Sequence, residues 1–159
     1  MFSLSTIVHT SPQAIYSVDR HGKVTFWTPA AERMFGWTAQ ETLGQPLPFI
    51  PNEGQRDFAE FLRGAFAGAP VGTLELAHLR KDGSLIHIKA ASAPLFDPCG
   101  VMIGVMAIAE DITHRKLAEK GLRANEEQFR LITEHVSDLI ALERVLGTVE
   151  SNRTDATVL

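Results

Sequence analysis

Six histidines, one cysteine and nineteen carboxylates are the groups in this 159-residue chain best suited to metal or acid–base chemistry. A metal site needs several of them together, and the nearest approach is His78 with His87, on either side of the run Arg80-Lys81-Asp82-Gly83-Ser84. A two-residue Asp82-Gly83 hairpin turn would set the two imidazoles opposite each other. A three-residue loop, with Gly83 in the positive-φ position of a bulge, pairs Leu76 with Ile88 and Leu74 with Ala90 instead. That register puts apolar on apolar and is the one expected. It separates the histidines: His78 shares the inner face with Leu74, Leu76, Ile86, Ile88, Ala90 and Ser92, while His87 and Lys89 look outward. A lone inward histidine can touch a ligand or be a hydrogen-bonded core residue.

The remaining groups give less. Cys99 has no partner for an internal disulfide, and no Cys/His spacing suggests zinc. Glu110 and Asp111 are adjacent, and neighbouring strand positions face opposite ways, so they are not a catalytic carboxylate pair. Asp111 is expected to organise the exit from the last strand by accepting hydrogen bonds from the backbone or Thr113. His114 is followed by Arg-Lys and His135 by Val-Ser, neither of which resembles the His-Glu phosphoacceptor segment of a histidine kinase. There is no Gly-Gly-Asp-Glu-Phe cyclase motif, phosphate-binding glycine loop or catalytic triad pattern. The sequence is not expected to be an enzyme.

The elements that position these groups can be read from pattern. AIYSVD at 14–19 and Val24 to Trp27 form a hairpin across the turn Arg20 to Lys23. Thr28 is a good N-cap and Pro29 suits the first helical position, so a short helix runs to Gly36. Thr38 and Glu41 make a capping box for a second helical turn, with Gly44 at its end. After the loop QPLPFIP, Phe58, Phe61, Leu62, Ala65 and Phe66 recur at helical spacing in an amphipathic helix ending near Gly68. Three strands close the domain, at about 72–80, 84–93 and 100–110. In the last, Val101, Ile103, Val105 and Ala107 fall on one face and Met102, Met106 and Ile108 on the other, so both faces need cover. The outer face calls for a lid, either the N-terminal Phe2, Leu4, Ile7 and Val8 or a second subunit.

With 45% hydrophobic and 21% charged residues, the chain can bury one ordinary core. A net charge of -4 without a dense basic run argues against nucleic acid as the main partner. The longest apolar stretch, at 100–109, is far short of the ~18 residues of a membrane span, and no signal peptide is apparent. A soluble, cytoplasmic segment is expected.

Three segments in order resemble the PAS sensory domains with their C-terminal PAC motif. HGKVTFWTPAAERMFGWTAQETLG at 21–44 resembles the family's second strand and first helices. RKDGS at 80–84 resembles its hairpin, and EDITHRK at 110–116 its terminal Asp-Ile-Thr signature. The similarity covers about 4–116; Thr28 departs from it, since the family very often has asparagine there. The resemblance implies an α+β fold: a five-stranded antiparallel sheet, short helices over one face, a pocket between, and a C-terminal linker helix. It also implies a module that senses a small molecule or dimerises, and that passes its state to a kinase, cyclase or transcription regulator in the same parent chain. Haem-binding relatives use a histidine near the start of the long helix, where this chain reads Glu53-Gly54-Gln55-Arg56-Asp57. Flavin photoreceptors of the group use a cysteine in a Gly-X-Asn-Cys-Arg helix segment, whereas Cys99 sits in a turn. Neither haem nor cysteinyl-flavin chemistry is expected, and the cofactor, if any, is left open.

Periodicity on this frame gives the candidate ligand-binding residues Trp27, Met34, Trp37, Phe58, Leu62, Leu74, Leu76, His78, Ile88, Ala90, Ser92 and Ala107. Some will be filled core, the two tryptophans above all. The signal relay is assigned to Glu110, Asp111, Ile112 and Thr113. Beyond it, Leu122, Asn125, Phe129, Ile132, Val136 and Leu139 are spaced 3, 4, 3, 4, 3, an a/d seam with one polar position that suits a homodimer. A helix packed on its own or the next domain fits the same spacing. At an offset of 125, Leu4, Ile7, Ile15, Gly22 and Val24 fall on Phe129, Ile132, Ile140, Gly147 and Val149. This suggests that a second unit begins, although any helix followed by a strand aligns comparably. The expected division is a sensor domain at 1–113, a linker helix at 114–136 and the start of a second, truncated copy at 137–159. Residues 143–159 are expected to be poorly ordered or packed irregularly. The leading expectation is a ligand-sensing relay module; the alternative is a ligand-free dimerisation domain.

Overall fold

The computed structural model describes the backbone of residues 3–155 and the side chains of residues 3–138. Phe2 and residues 156–159 lie outside the described residues. The chain runs α1 (Leu4–Thr10), β1 (Ala14–Asp19), β2 (Val24–Trp27), α2 (Pro29–Phe35), α3 (Ala39–Thr42), a 3-10 turn (Asn52–Gly54) and α4 (Gln55–Phe66). It continues through β3 (Thr73–Leu79), β4 (Leu85–Phe96), β5 (Met102–Asp111) and α5 (Thr113–Asp155). The strands form one antiparallel sheet in the order β2-β1-β5-β4-β3. This is the α+β architecture that the resemblance implied.

Local chemistry sets the element ends. Thr28 accepts from the amide of Ala31 at 3.3 Å as N-cap of α2, and the same hydroxyl accepts from Ile15 N at 3.0 Å, tying α2 to β1. Capping therefore survives at the position where the family often has asparagine. Gly36 ends α2 at φ 91°, a conformation that favours glycine. Thr38 and Glu41 form the expected reciprocal capping box on α3. Gly44 has φ 77°, but it lies beyond the C-cap Leu43 rather than ending the helix itself.

The β3–β4 hairpin pairs Leu74 with Ala90, Leu76 with Ile88 and His78 with Ile86. Its loop is Lys81-Asp82-Gly83, with Gly83 at φ 84°. The three-residue register holds, and the two histidines do not meet.

One strand reading needs correction. Val105, Ala107 and Ala109 face the core, but Val101 and Ile103 are 58% and 53% exposed, whereas Met102 packs against the core. The β4–β5 register slips between Leu95, opposite Gly104, and Phe96, opposite Met102. The extra residue is a bulge that reverses face parity below Gly104, a shift that alternation alone cannot show. Gly104 is itself required: a Cβ there would collide with the carbonyl oxygen of Val18 on β1.

The core lies between the sheet and α2, α4 and the 43–51 loop. Phe35 and Phe49 stack at 4.5 Å between ring centroids, and Tyr16 meets both edge-on, at 6.0 and 5.7 Å. Leu62 and Ala65 are the buried face of α4. On the outer face, Leu4, Val8 and His9 of α1 border a groove with Ile15, Phe26, Leu95 and Met106. His9 meets Phe26 edge-on at 5.8 Å. The N-terminal helix is thus a partial lid, with Leu4 and Ile7 themselves 82% and 60% exposed.

Residues 1–114 form one compact unit and 115–159 a second. In the second, α5 continues through the expected boundary at 136 and stays helical to Asp155. The irregular packing expected from residue 143 concerns side chains that lie outside the described residues. Among the described residues no helix is long and apolar enough to cross a membrane.

Candidate functional site

A cavity of about 400 Å³ lies between the inner face of the sheet and α4 with its preceding loop. Its floor explains it. The floor is lined by the small side chains of Ala90, Ala107 and Ser92, the last two paired in one cross-strand row beside Tyr16. Strand pairing holds these backbones in place, so replacing large residues by alanine leaves volume rather than collapse. The roof is Phe49, Ile50 and Pro51 with Phe58 and Phe61 of α4. Leu74 and Leu76 wall the cavity yet are 55% and 39% exposed, so it opens along the edge strand β3.

Of the residues named from sequence, Phe58, Leu74, Leu76, His78, Ala90, Ser92 and Ala107 line this cavity. Trp27, Met34, Trp37, Leu62 and Ile88 do not. Trp27 is core, its indole donating to the Trp37 carbonyl at 2.9 Å. Ile88 is fully buried in the core, and Met34 packs against that core. Trp37 borders a separate depression behind Phe49 and His78, and Leu62 faces a cleft beside the β1–β2 turn. Sequence reasoning missed Tyr16, Val18, Phe49 and Val105. Tyr16 and Val18 were within reach, because AIYSVD alternates and puts them on the face of Ala14. Phe49 sits in an aperiodic proline loop that carries no pattern.

His78 is half-buried, its ring 4.8 Å from that of Phe49, and burial pushes its imidazole pKa down, toward the neutral form. Tyr16 is more deeply buried, and burial pushes its phenol up. Among the described residues its hydroxyl has no hydrogen-bond partner. No group of three or more His, Cys, Asp or Glu among the described residues is arranged to hold a metal ion.

The second cluster surrounds the strand exit. Arg80, two residues beyond His78, reaches three ways: Nε donates to the Met34 carbonyl at 3.0 Å, Nη1 to Ser84 Oγ at 3.2 Å and Nη2 to Asp111 Oδ2 at 2.8 Å. The other Asp111 oxygen accepts from the Thr113 amide at 2.9 Å, and Thr113 Oγ1 accepts from His87 N at 2.9 Å. Ile112 is buried and donates to the His87 carbonyl, whereas Glu110 faces solvent. Partial burial pushes the Asp111 pKa up, but hydrogen bonds from Thr113 and the Arg80 charge outweigh it, leaving the carboxyl below its ordinary value. Asp111 thus takes the Thr113 bond read from sequence, while Arg80 was missed because nothing local links it to a residue 31 positions away. Nearby, the Lys81 ammonium and the Thr38 amide hold Glu41 down to about 2.

A five-stranded antiparallel sheet, helices over one face and an apolar cavity between them define a small α+β module with a pocket of ligand size. The chain belongs to the PAS family: the model of the PAS fold matches residues 3–112. It is similar to the signal transduction histidine-protein kinase AtoS of Escherichia coli, 27% identical over 120 residues, or 76% of this chain and 19% of that one. It is likewise similar to the probable diguanylate cyclase DgcE of the same organism, 27% identical over 145 residues, 87% of this chain and 13% of the relative. The chain thus corresponds to less than a fifth of either relative. The crystal structure of a PAS domain from Colwellia psychrerythraea superimposes with a TM-score of 0.60, at 23% identity, covering 69% of this chain and 94% of that one.

Proposed function

We propose that this PAS module binds a small molecule in the cavity above the alanine floor and relays occupancy through Arg80, Asp111 and Thr113 into α5, and so to an effector domain of a longer signalling protein. The observation that carries this is the adjacency of wall and latch. Leu76, Ala77 and His78 line the cavity, and Arg80, on the same strand direction, holds Asp111. A ligand that displaces β3 at the cavity mouth moves Arg80 with it. The relatives AtoS and DgcE support an effector of the kinase or cyclase class. Native mass spectrometry of gently purified protein tests the first half: a retained small molecule supports sensing. Output of the parent protein that is unchanged by Asp111→Ala would contradict the second half.

A ligand-free dimerisation role is the second reading. It is favoured by the exposure of the α5 stripe, where Leu122, Phe129, Ile132 and Val136 are 61%, 74%, 56% and 48% exposed. Asn125 is also exposed, and the side chain of Leu139 lies outside the described residues. The start of a second PAS copy at 137–159 is part of the same proposal and rests on the sequence offset alone.

A further inference from the structure

The polar groups inside the cavity limit what can occupy it. Among the described residues that line it there is no lysine and no arginine. Its one carboxylate, Asp57, is exposed on α4, where its charge repels an entering anion. The polar groups deeper in are hydroxyls and a half-buried imidazole: Tyr16 and Ser92 flank Ala107 in one row across the sheet, and the His78 ring lies 4.8 Å from that of Phe49. A carboxylate or phosphate buried there would lose its hydration and gain no cation in return.

Tyr16 supplies a positive requirement. Tyr16 is 6% exposed, it lines the cavity, and its hydroxyl has no hydrogen-bond partner among the described residues. Since no buried side-chain oxygen among the described residues lacks a partner, this hydroxyl opens on the cavity rather than being sealed, and a molecule that displaces water there would have to supply its hydrogen bond. At the ~30 Å³ that one water takes in the liquid, the space holds roughly a dozen non-hydrogen atoms.

We propose that the cavity takes an uncharged, mainly apolar molecule of about a dozen non-hydrogen atoms, with one polar group bonded to the Tyr16 hydroxyl. The aromatic roof of Phe49, Phe58 and Phe61 suits a planar ring system. Ser92, one strand beyond Ala107, offers a second hydrogen bond to the same polar end. This inference rests on the sensory reading above and narrows its ligand.

The test uses naphthamide and naphthoate, which have the same shape and size and differ in charge near neutral pH. The full chain is titrated with each while backbone amide NMR shifts are followed. Naphthamide should perturb Ala90, Ser92 and Ala107 and bind at least about tenfold more tightly than naphthoate. Tyr16→Phe, which keeps the ring and its packing, should weaken naphthamide by about two- to tenfold with little effect on naphthoate. Equal or tighter binding of naphthoate overturns the charge selection. Unchanged naphthamide affinity in Tyr16→Phe overturns the role of the hydroxyl. If neither compound shifts the floor amides while native mass spectrometry shows a retained small molecule, the ligand class is wrong and the sensory reading stands. If both measurements are blank, both fall.

Discussion

The Arg80–Asp111 pair gives the proposed relay a measurable strength. Arg80→Ala removes an ion pair whose side chains are 28% and 37% exposed, worth about 0.5–1 kcal/mol after solvent screening. It also removes the bond to the Met34 carbonyl, worth about 1 kcal/mol. The expected loss is about 1.5–2 kcal/mol, or a fall in Tm of roughly 6–8 °C for a domain of this size. Asp111→Ala loses the same pair together with the acceptor for the Thr113 amide, and should cost a similar amount. Because the ion pair is common to both variants, the double variant should fall short of the sum by about 0.5–1 kcal/mol. Thermal unfolding followed by circular dichroism supplies all four corners of the cycle. Since the Asp111 pKa is lowered by folding, its stabilisation is present above the unfolded value and is lost as the pH falls through the folded one. The coupling should therefore fade in acid. Additive variants at low salt near neutral pH, or a coupling unchanged at low pH, would refute the latch.

Phe35→Ala empties a fully buried ring site stacked on Phe49 and should cost about 3–5 kcal/mol in denaturant unfolding. Gly104→Ala meets the Val18 carbonyl and should cost about 1–3 kcal/mol, while Gly72→Ala, with no atom near its added Cβ, should stay within about 0.5 kcal/mol. An NMR pH titration should place Glu41 near 2, against an ordinary value of 4.5, and Lys81→Ala should move it upward. Because folding lowers that pKa, its contribution to stability is present above 4.5 and is lost as the pH falls through about 2. Analytical ultracentrifugation at high micromolar concentration should find a dimer that Phe129→Glu weakens; a monomer would remove the dimerisation reading.

The sequence was most legible where a side chain's role is local. Caps at Thr28 and Thr38, the glycine turns and the β3–β4 register each depend on a few neighbouring residues, and they appear as read. Periodicity also found the cavity's strand residues, because alternation assigns a face. It failed where a face depends on something other than alternation. The bulge near Ile103 reverses parity, Phe49 reaches the cavity from a loop without a period, and Ile88 has the right face but is wholly enclosed in the core. Arg80 belongs to a local turn motif, yet its partner lies on another strand, and only the three-dimensional pairing reveals their ion pair.

The central claim is that events in the cavity are felt at the strand exit. The most direct measurement is amide hydrogen exchange across the full chain, with and without saturating naphthamide. Changed protection at Ile112 and Thr113, appearing together with changes at Leu76 to His78 and abolished by Arg80→Ala, is the predicted result. Changes confined to the cavity-lining strands, with residues 110–113 untouched, would contradict it.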